Sequence, residues 1–316
     1  MLIRREETWG QLVYDTREHR FFCISNLRPK KVPYITKPIV LNCDLTFECN
    51  MDCLYCVAKD MKDFTYDDLV VGKKLITNIN KSDFMVIVIT GGEPLLDEYA
   101  PKLLELIDGL EEKGIIVDTN GTAMPNPTLL KSLKRKNVLL RISFDSPRPQ
   151  DEWNVRIAKG GKSTTQKLYE KKLSVIQDLR AKGLKVAIQS VLHGKNLVSI
   201  LDMPKLLSKW SIKQWYVQRF IPSYKLKDDS RFSLEIHEYE RVIHRLEAKA
   251  AEDGIFCLTK KDRRHNSVFL LVGDGKIFTQ GDRPGEKVFI GELGDIVNHF
   301  ELVSSSEHSM RYYTYK

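Results

Sequence analysis

Ile39-Val40-Leu41-Asn42-Cys43-Asp44-Leu45-Thr46-Phe47-Glu48-Cys49-Asn50-Met51-Asp52-Cys53-Leu54-Tyr55-Cys56 carries a strand-length apolar run directly into three cysteines spaced C-x3-C-x2-C. The apolar part predicts a strand over 39–47, of the kind buried in parallel sheets. Further runs at 84–90, 115–119, 138–144, 185–191 and 214–220 repeat the pattern. Helical stretches fall between them near 65–80, 97–113, 127–135, 164–182 and 199–210, with glycine stops at Lys113-Gly114 and Lys182-Gly183. Six strand–helix units in series predict an α/β fold, either a partial (β/α)6 TIM-like barrel or a doubly wound sheet. In both, ligands gather at the carboxyl ends of the strands.

Outward from this core, 38–222, the two ends read differently. Residues 1–37 form a β-rich lead-in, with a short hairpin predicted from Trp9-Gly10-Gln11-Leu12-Val13-Tyr14 and Phe21-Phe22-Cys23-Ile24. Residues 223–316 predict a small α+β extension. It holds a helix near 233–252, the apolar Phe256-Cys257-Leu258, and a hairpin of 268–272 and 276–279 turning on Gly273-Asp274-Gly275.

The 316 residues are 42% hydrophobic and 29% charged, values of a globular protein with ample core. The longest apolar run, 84–89, is far short of a membrane span, and Met1-Leu2-Ile3-Arg4-Arg5-Glu6-Glu7 is no signal segment, so a cytoplasmic protein is expected. The net charge of +8 is interleaved with acidic residues, and the densest basic run is Lys260-Lys261-Asp262-Arg263-Arg264. That distribution disfavours nucleic acid and suits solvated faces, or a basic rim for an acidic partner or anionic substrate.

Three of the six cysteines fall within eight positions, while Cys23, Cys43 and Cys257 are scattered as buried structural thiols are. Clustered thiols without a secretory context point to a metal. Thiolates ligate iron–sulfur clusters, and three on one loop hold three corners of a cubane with the fourth iron open. Zinc asks for four ligands, with only His193 and Cys257 as distant candidates. A non-catalytic iron–sulfur or zinc-binding protein is the rival to an enzyme.

The triplet, with Asn50 after its first cysteine and Tyr55 before its last, resembles the signature of the radical S-adenosylmethionine (SAM) superfamily. Thr90-Gly91-Gly92-Glu93-Pro94 resembles that family's SAM amine segment, and Ser143-Phe144-Asp145-Ser146 its ribose and carboxylate segment. Alone, each reads as an ordinary loop or helix cap. The resemblance, over about 38–220, implies a [4Fe–4S] cluster on Cys49, Cys53 and Cys56 with SAM chelated at the open iron. It implies that Gly91, Gly92 and Glu93 orient the SAM amine, that Ser143 and Asp145 meet ribose and carboxylate, and that Tyr55 packs near adenine. Asn120, Gln189 and Ser190 are expected SAM or substrate contacts at the barrel mouth. Reductive cleavage of SAM then gives a 5′-deoxyadenosyl radical that abstracts hydrogen, fed by a donor such as flavodoxin or ferredoxin. This step needs no acid–base triad, and no catalytic side chain is assigned.

The sequence is most similar to the branch with peptide maturases, the molybdenum-cofactor GTP cyclase and viperin. Beyond Pro222 the single Cys257 cannot hold an auxiliary cluster. Asn154-Val155-Arg156-Ile157-Ala158-Lys159-Gly160 and Trp215-Tyr216-Val217-Gln218 look like viperin segments, yet viperin's phosphate-binding lysines fall on Ala187 and Tyr216. That departure disfavours CTP, since a triphosphate needs cations at its oxygens. Arg156, Lys159 and Lys162 are expected either to meet another anion or to form a solvated basic loop. The β-rich lead-in suits a peptide added as a strand. A peptide, protein or biosynthetic small-molecule substrate ranks first, with a nucleotide as alternative.

Overall fold

The chain is seen in a computed structural model that describes residues 1–25, 37, 39–56, 58, 67–220, 231–260, 268–280 and 287–293. The domain boundary at 222, most of the basic run at 260–264 and the last twenty residues lie outside the described residues.

The expected N-terminal hairpin is present as β2 (Gly10–Asp15) and β3 (Arg20–Ser25), and a further strand, β1 (Leu2–Glu7), completes a three-stranded antiparallel sheet. Four charged residues in six hide β1 in the sequence. Leu2, Arg4 and Glu6 are nevertheless exposed while Ile3, Arg5 and Glu7 are half-buried, the alternation of a strand with one covered face. Arg5 pairs with Glu7 and donates to the Asp83 and Lys37 carbonyls, so its charge is satisfied.

The six predicted core strands are β4 (Val40–Thr46), β5 (Val86–Gly91), β6 (Gly114–Thr119), β7 (Val138–Ser143), β8 (Val186–Leu192) and β9 (Gln214–Arg219), paired in parallel and in chain order. Strand order without reversal, with the right-handed crossovers that parallel units adopt, places the helices on one face. This is the partial-barrel arrangement rather than a doubly wound sheet. The connecting helices are α1 (Lys73–Lys81), α2 (Ala100–Gly109), α3 (Pro127–Leu133), α4 (Pro149–Trp153), α5 (Lys162–Ala181) and α6 (Met203–Lys209), the last preceded by a 3-10 turn, Ser199–Asp202. Alternate residues such as Leu41, Ile87, Val117, Ile142, Ile188 and Trp215 are buried in the main core, while half-buried residues between them face the barrel interior.

The expected C-terminal α+β extension continues the same sheet at both of its edges. Helix α7 (Ile236–Glu252), opened by a capping box of Glu235 and Glu238, leads to β10 (Phe256–Lys260), which lies parallel to β9. Strand β11 (Val268–Val272) lies parallel to β4 at the other edge and turns through Gly273 and Gly275 into β12 (Lys276–Gln280), which pairs with β13 (Lys287–Glu292). The sheet thus has ten strands among the described residues. No described helix is long and apolar enough to cross a membrane.

The N-terminal sheet sits at the amino end of the barrel strands. Lys185 donates to the Thr16 carbonyl at 2.8 Å, Gln214 to the Glu18 carbonyl, and the Arg20 guanidinium lies 3.7 Å from the Phe256 ring centroid. Gly114, predicted as a helix stop, instead begins β6, and a Cβ there would lie 2.1 Å from Tyr14 Cε1. Gly183, with φ +78°, does close α5 as predicted.

His19 is buried, 2.9 Å from the Tyr14 hydroxyl, and burial with the nearby Lys185 charge lowers its pKa to about 3. An unfolded chain takes up this proton near pH 6.5, so stability falls as pH drops from there, by about 1.4 kcal/mol for each unit of difference realised. The urea midpoint is expected to decline between pH 6.5 and 4.5, and His19→Gln to flatten that decline. An equal slope in the variant would show that other groups set it.

Candidate active site

The carboxyl end of β4 is fixed before the cysteines begin. Asp68 accepts from the Thr46 hydroxyl at 3.1 Å and the Phe47 N–H at 2.9 Å, and the Glu48 N–H donates to Thr46 Oγ1 at 3.0 Å. Across from it, the end of β5 approaches to backbone contact: Gly92 N–H donates to the Thr46 carbonyl at 2.6 Å and Glu93 N–H to the Glu48 carbonyl at 2.8 Å. A Cβ on Gly91, whose φ is +114°, would meet Thr46 O at 2.2 Å, and one on Gly92 would meet Glu48 O at 1.9 Å. The glycines therefore serve first to let two stretches of the chain's own backbone touch.

The other side of the cysteine loop is zipped to 155–159. Asp52 and Leu54 donate to the Ile157 and Val155 carbonyls at 2.6 and 2.9 Å, and Lys159 donates to the Asn50 carbonyl at 3.1 Å. Held this way, Cys49, Cys53 and Cys56 come together with Met51, Ala158 and Leu168 in a small apolar cluster. Burial pushes the Cys49 thiol up to about 11 and Cys53 to about 12, with neighbouring thiols adding to both. Such thiols ionise when a metal takes the proton's place, so the donor set fits thiolate ligation of iron. Among the described residues no three metal-binding side chains converge as a single ion requires. A cubane asks instead that each sulfur reach its own iron. Met51 N–H and Asn120 Nδ2 already point at Cys49 Sγ, at 3.4 and 3.7 Å.

Asn120 ties this loop to β6. Its amide donates to Asn50 Oδ1 at 2.7 Å, and its oxygen accepts from the Thr122 N–H and hydroxyl at 2.9 and 2.6 Å. Glu93 is fully buried and accepts from Leu95 N–H at 3.0 Å, the Thr119 hydroxyl at 2.6 Å and Asn120 N–H at 2.6 Å. Burial outweighs these donors and lifts its pKa to about 7.

Three expectations are corrected here. Asp145, expected at SAM, is fully buried with both oxygens occupied: Arg156 grips it at 2.9 and 3.1 Å, Val191 N–H donates at 2.8 Å, and the Tyr55 hydroxyl bonds to Oδ2. Arg156, expected to meet a substrate anion or to lie on a solvated basic loop, is buried as the partner of that carboxylate. The Ser190 hydroxyl is buried too, donating to the Phe144 carbonyl at 2.5 Å and accepting from Trp215 Nε1 at 2.8 Å. It shares strand parity with Ile188 and therefore points away from the barrel interior.

Behind Asp145, Glu152 accepts from the Asp145 and Ser146 N–H groups at 2.6 and 3.2 Å and from Lys172 at 2.6 Å, while Asn196 donates to the Asp145 carbonyl at 2.9 Å. The sequence reading missed Asp68, Thr122, Glu152, Lys172 and Asn196; only the Glu152–Arg156 i,i+4 spacing hinted at any of them. Ser143 and Gln189 are half-buried register partners, with Tyr216 next to Gln189, on the inner face. Tyr55 is half-buried, its ring edge-on to Phe220 at 5.9 Å. Lys159 and Lys162 are exposed, the former 3.6 Å from Glu48. Cys43 and Cys257 are buried with their thiols pushed well up, and Cys23 is half-buried.

Residues 44–207, just over half of the chain, match the profile of the Radical SAM superfamily. A GTP 3′,8-cyclase of Clostridium perfringens is 27% identical over 220 residues, 68% of this chain and 64% of the cyclase. An AdoMet-dependent heme synthase of Nitratidesulfovibrio vulgaris is 26% identical over 64% of this chain and 53% of the synthase. The matches thus span between about half and two-thirds of these relatives. A nucleotide dehydratase of Lacinutrix mariniflava is 26% identical over 65% of this chain and 43% of that protein. Streptococcus suis SuiB bound to S-adenosylmethionine superposes with a TM-score of 0.66 at 10% identity, covering 98% of this chain and 88% of SuiB. Native anSMEcpe with bound AdoMet gives 0.62 at 18%, covering 86% and 82%. These structural likenesses establish the fold.

The Lys172–Glu152 pair, each side chain 2% exposed, is testable on its own. Lys172→Met strands a buried carboxylate and is expected to cost about 3–5 kcal/mol in urea unfolding. Adding Glu152→Gln is expected to restore most of that loss. No recovery in the double variant would place the cost elsewhere.

Proposed function

Because the chain belongs to the radical SAM superfamily, whose members use SAM with a [4Fe–4S] cluster, we propose that Cys49, Cys53 and Cys56 hold the cluster and that the reaction takes hydrogen from a peptide, protein or biosynthetic small molecule. The observation that carries this is the cysteine loop clamped between Gly91-Gly92-Glu93 and 155–159 at the carboxyl ends of the strands. Cys49, Cys53 and Cys56 would hold the cluster, which would supply the electron for reductive cleavage of SAM and so the radical chemistry of the reaction.

The chain's own residues then have definite work. Gly91 and Gly92 present backbone beside the cysteines, and Glu93 holds that backbone to Thr119 and Asn120, so it orients the SAM amine chiefly through what it fixes. Asp145 anchors the Tyr55 hydroxyl, leaving the half-buried ring for adenine. Ser143, Gln189 and Asn120 supply polar groups to SAM or substrate on the inner face, and Lys159 and Lys162 supply exposed charge near the mouth. The N-terminal sheet covers the amino end of the barrel, limiting water from that side. A cytoplasmic setting, a flavodoxin or ferredoxin donor, and a division into 1–37, 38–222 and 223–316 belong to the same proposal.

A nucleotide substrate is the second reading, supported by the cyclase and dehydratase relatives. Against a triphosphate stands the inner face, where Ala187 and Tyr216 flank an arginine already paired with an aspartate.

The test is anaerobic reconstitution, then SAM and dithionite, with 5′-deoxyadenosine read by mass spectrometry. The wild type is expected to form it, and a Cys49→Ala, Cys53→Ala, Cys56→Ala protein to form none. Gly92→Ala is expected to lose iron loading as its methyl drives Glu48 away. A wild type that neither loads iron nor binds SAM would overturn the assignment in favour of a zinc protein.

A further inference from the structure

The barrel interior holds a charge pair that the cluster and SAM readings leave unused. Asp118 on β6 and Arg141 on β7 are register partners joined by two 2.7 Å bonds, Nε to Oδ1 and Nη2 to Oδ2. Their side chains keep 19% and 16% of their surface, whereas Asp145 and Arg156 keep 0% and 7%. Asp118 precedes Asn120 by two residues and Arg141 precedes Ser143 by two. The pair therefore lies on the same inner face, about 7 Å deeper than the mouth.

The space around Arg141 is shaped on three sides. The Tyr216 ring centroid is 5.1 Å from its guanidinium carbon, and its β8 register partner is the small Ala187. Tyr14 rises from the N-terminal sheet below, and both tyrosines are kept protonated by burial. Asp118 takes Nε and Nη2, so Nη1 keeps two N–H donors with no hydrogen-bond acceptor among the described residues. An ion pair tying two strands inside a barrel is poor packing material, because desolvation offsets most of its attraction. What it offers instead is a fixed donor carrying almost no net charge.

Resting on the reading above, that a substrate enters this barrel, we propose that Arg141 orients the substrate by donating from Nη1 to an uncharged, amide-type carbonyl oxygen. Asp118 sets that preference: it cancels the guanidinium charge, so the subsite turns away carboxylates and phosphates that a bare arginine would attract. Arg141 is a binding residue in this scheme, and Asp118 acts through it.

The test uses cluster-reconstituted, SAM-loaded, unreduced protein and two probes of nearly equal shape, N-acetylglycinamide and N-acetylglycine, followed by saturation-transfer NMR. Wild type is expected to prefer the neutral amide. Asp118→Asn frees the arginine charge and is expected to tighten the carboxylate by about tenfold, inverting the preference. Arg141→Gln is expected to weaken the amide probe. Should asparagine disturb the strand, Asp118→Thr repeats the inversion with a good strand former. Wild type binding neither probe, or an unchanged preference in both Asp118 variants, would overturn the proposal. A gain of anion affinity is not produced by a merely structural pair. SAM affinity, measured on the same samples, is expected to stay unchanged in all variants. Loss of SAM binding by the wild type itself would instead defeat the radical SAM reading.

Discussion

Two glycines determine whether this barrel has a usable mouth. The backbone at Gly91 and Gly92 touches the backbone at Thr46 and Glu48 so closely that any side chain carbon would overlap an oxygen. That contact joins the end of β5 to the turn that launches the cysteine loop. The loop gains a rigid wall on one side, and 155–159 supplies the other. Three thiols on a free loop would sample many arrangements, and ordering them would oppose metal binding through lost chain entropy. Backbone hydrogen bonds to Gly92, Glu93 and 155–159 hold this loop and offset part of that cost.

The second wall depends on buried charge. Asp145, Glu152, Arg156 and Lys172 form a balanced set of two carboxylates and two cations, and the Asp145 and Ser146 N–H groups are folded into it. Removing any one member leaves an uncompensated charge in the interior, which is far costlier than the net worth of the set. The position of 155–159, and through it the cysteine loop, is therefore coupled to Lys172 on α5. A change on a helix face remote in sequence from the cysteines is transmitted to them by electrostatics and packing.

Much of this was legible in the sequence where the signal is local. The cysteine spacing, the paired glycines and the strand–helix rhythm each depend on residues within one element, and each lies where expected. Ser190 was misread although strand parity with Ile188 would have turned it outward. Asp145 and Arg156 were misread for a different reason. Both looked like mouth residues, and only the fold brings Glu152, Val191 and Tyr55 to enclose them. The charges of strand β1 mask its alternation, and Gly114 resembles a helix stop because Tyr14, which demands its missing Cβ, lies a hundred residues earlier. Long-range partners decide these cases, and a single sequence does not display them.

Parity also separates two kinds of polar residue inside the strands. Ser190 faces the helices and serves the scaffold by bonding Trp215 and the Phe144 carbonyl. Asp118, Arg141, Ser143, Gln189 and Tyr216 face inward, at successive depths below the cysteine loop. The N-terminal sheet closes over the amino end beneath them, with the Tyr14 ring packed against Gly114. With the barrel covered at its amino end, depth along the inner face separates the cysteine loop at the mouth from the Asp118–Arg141 pair at the floor. The neutral pairing of Asp118 with Arg141 is a feature of that floor, and in the proposal made for it selectivity would come from charge cancellation rather than from accumulated cations.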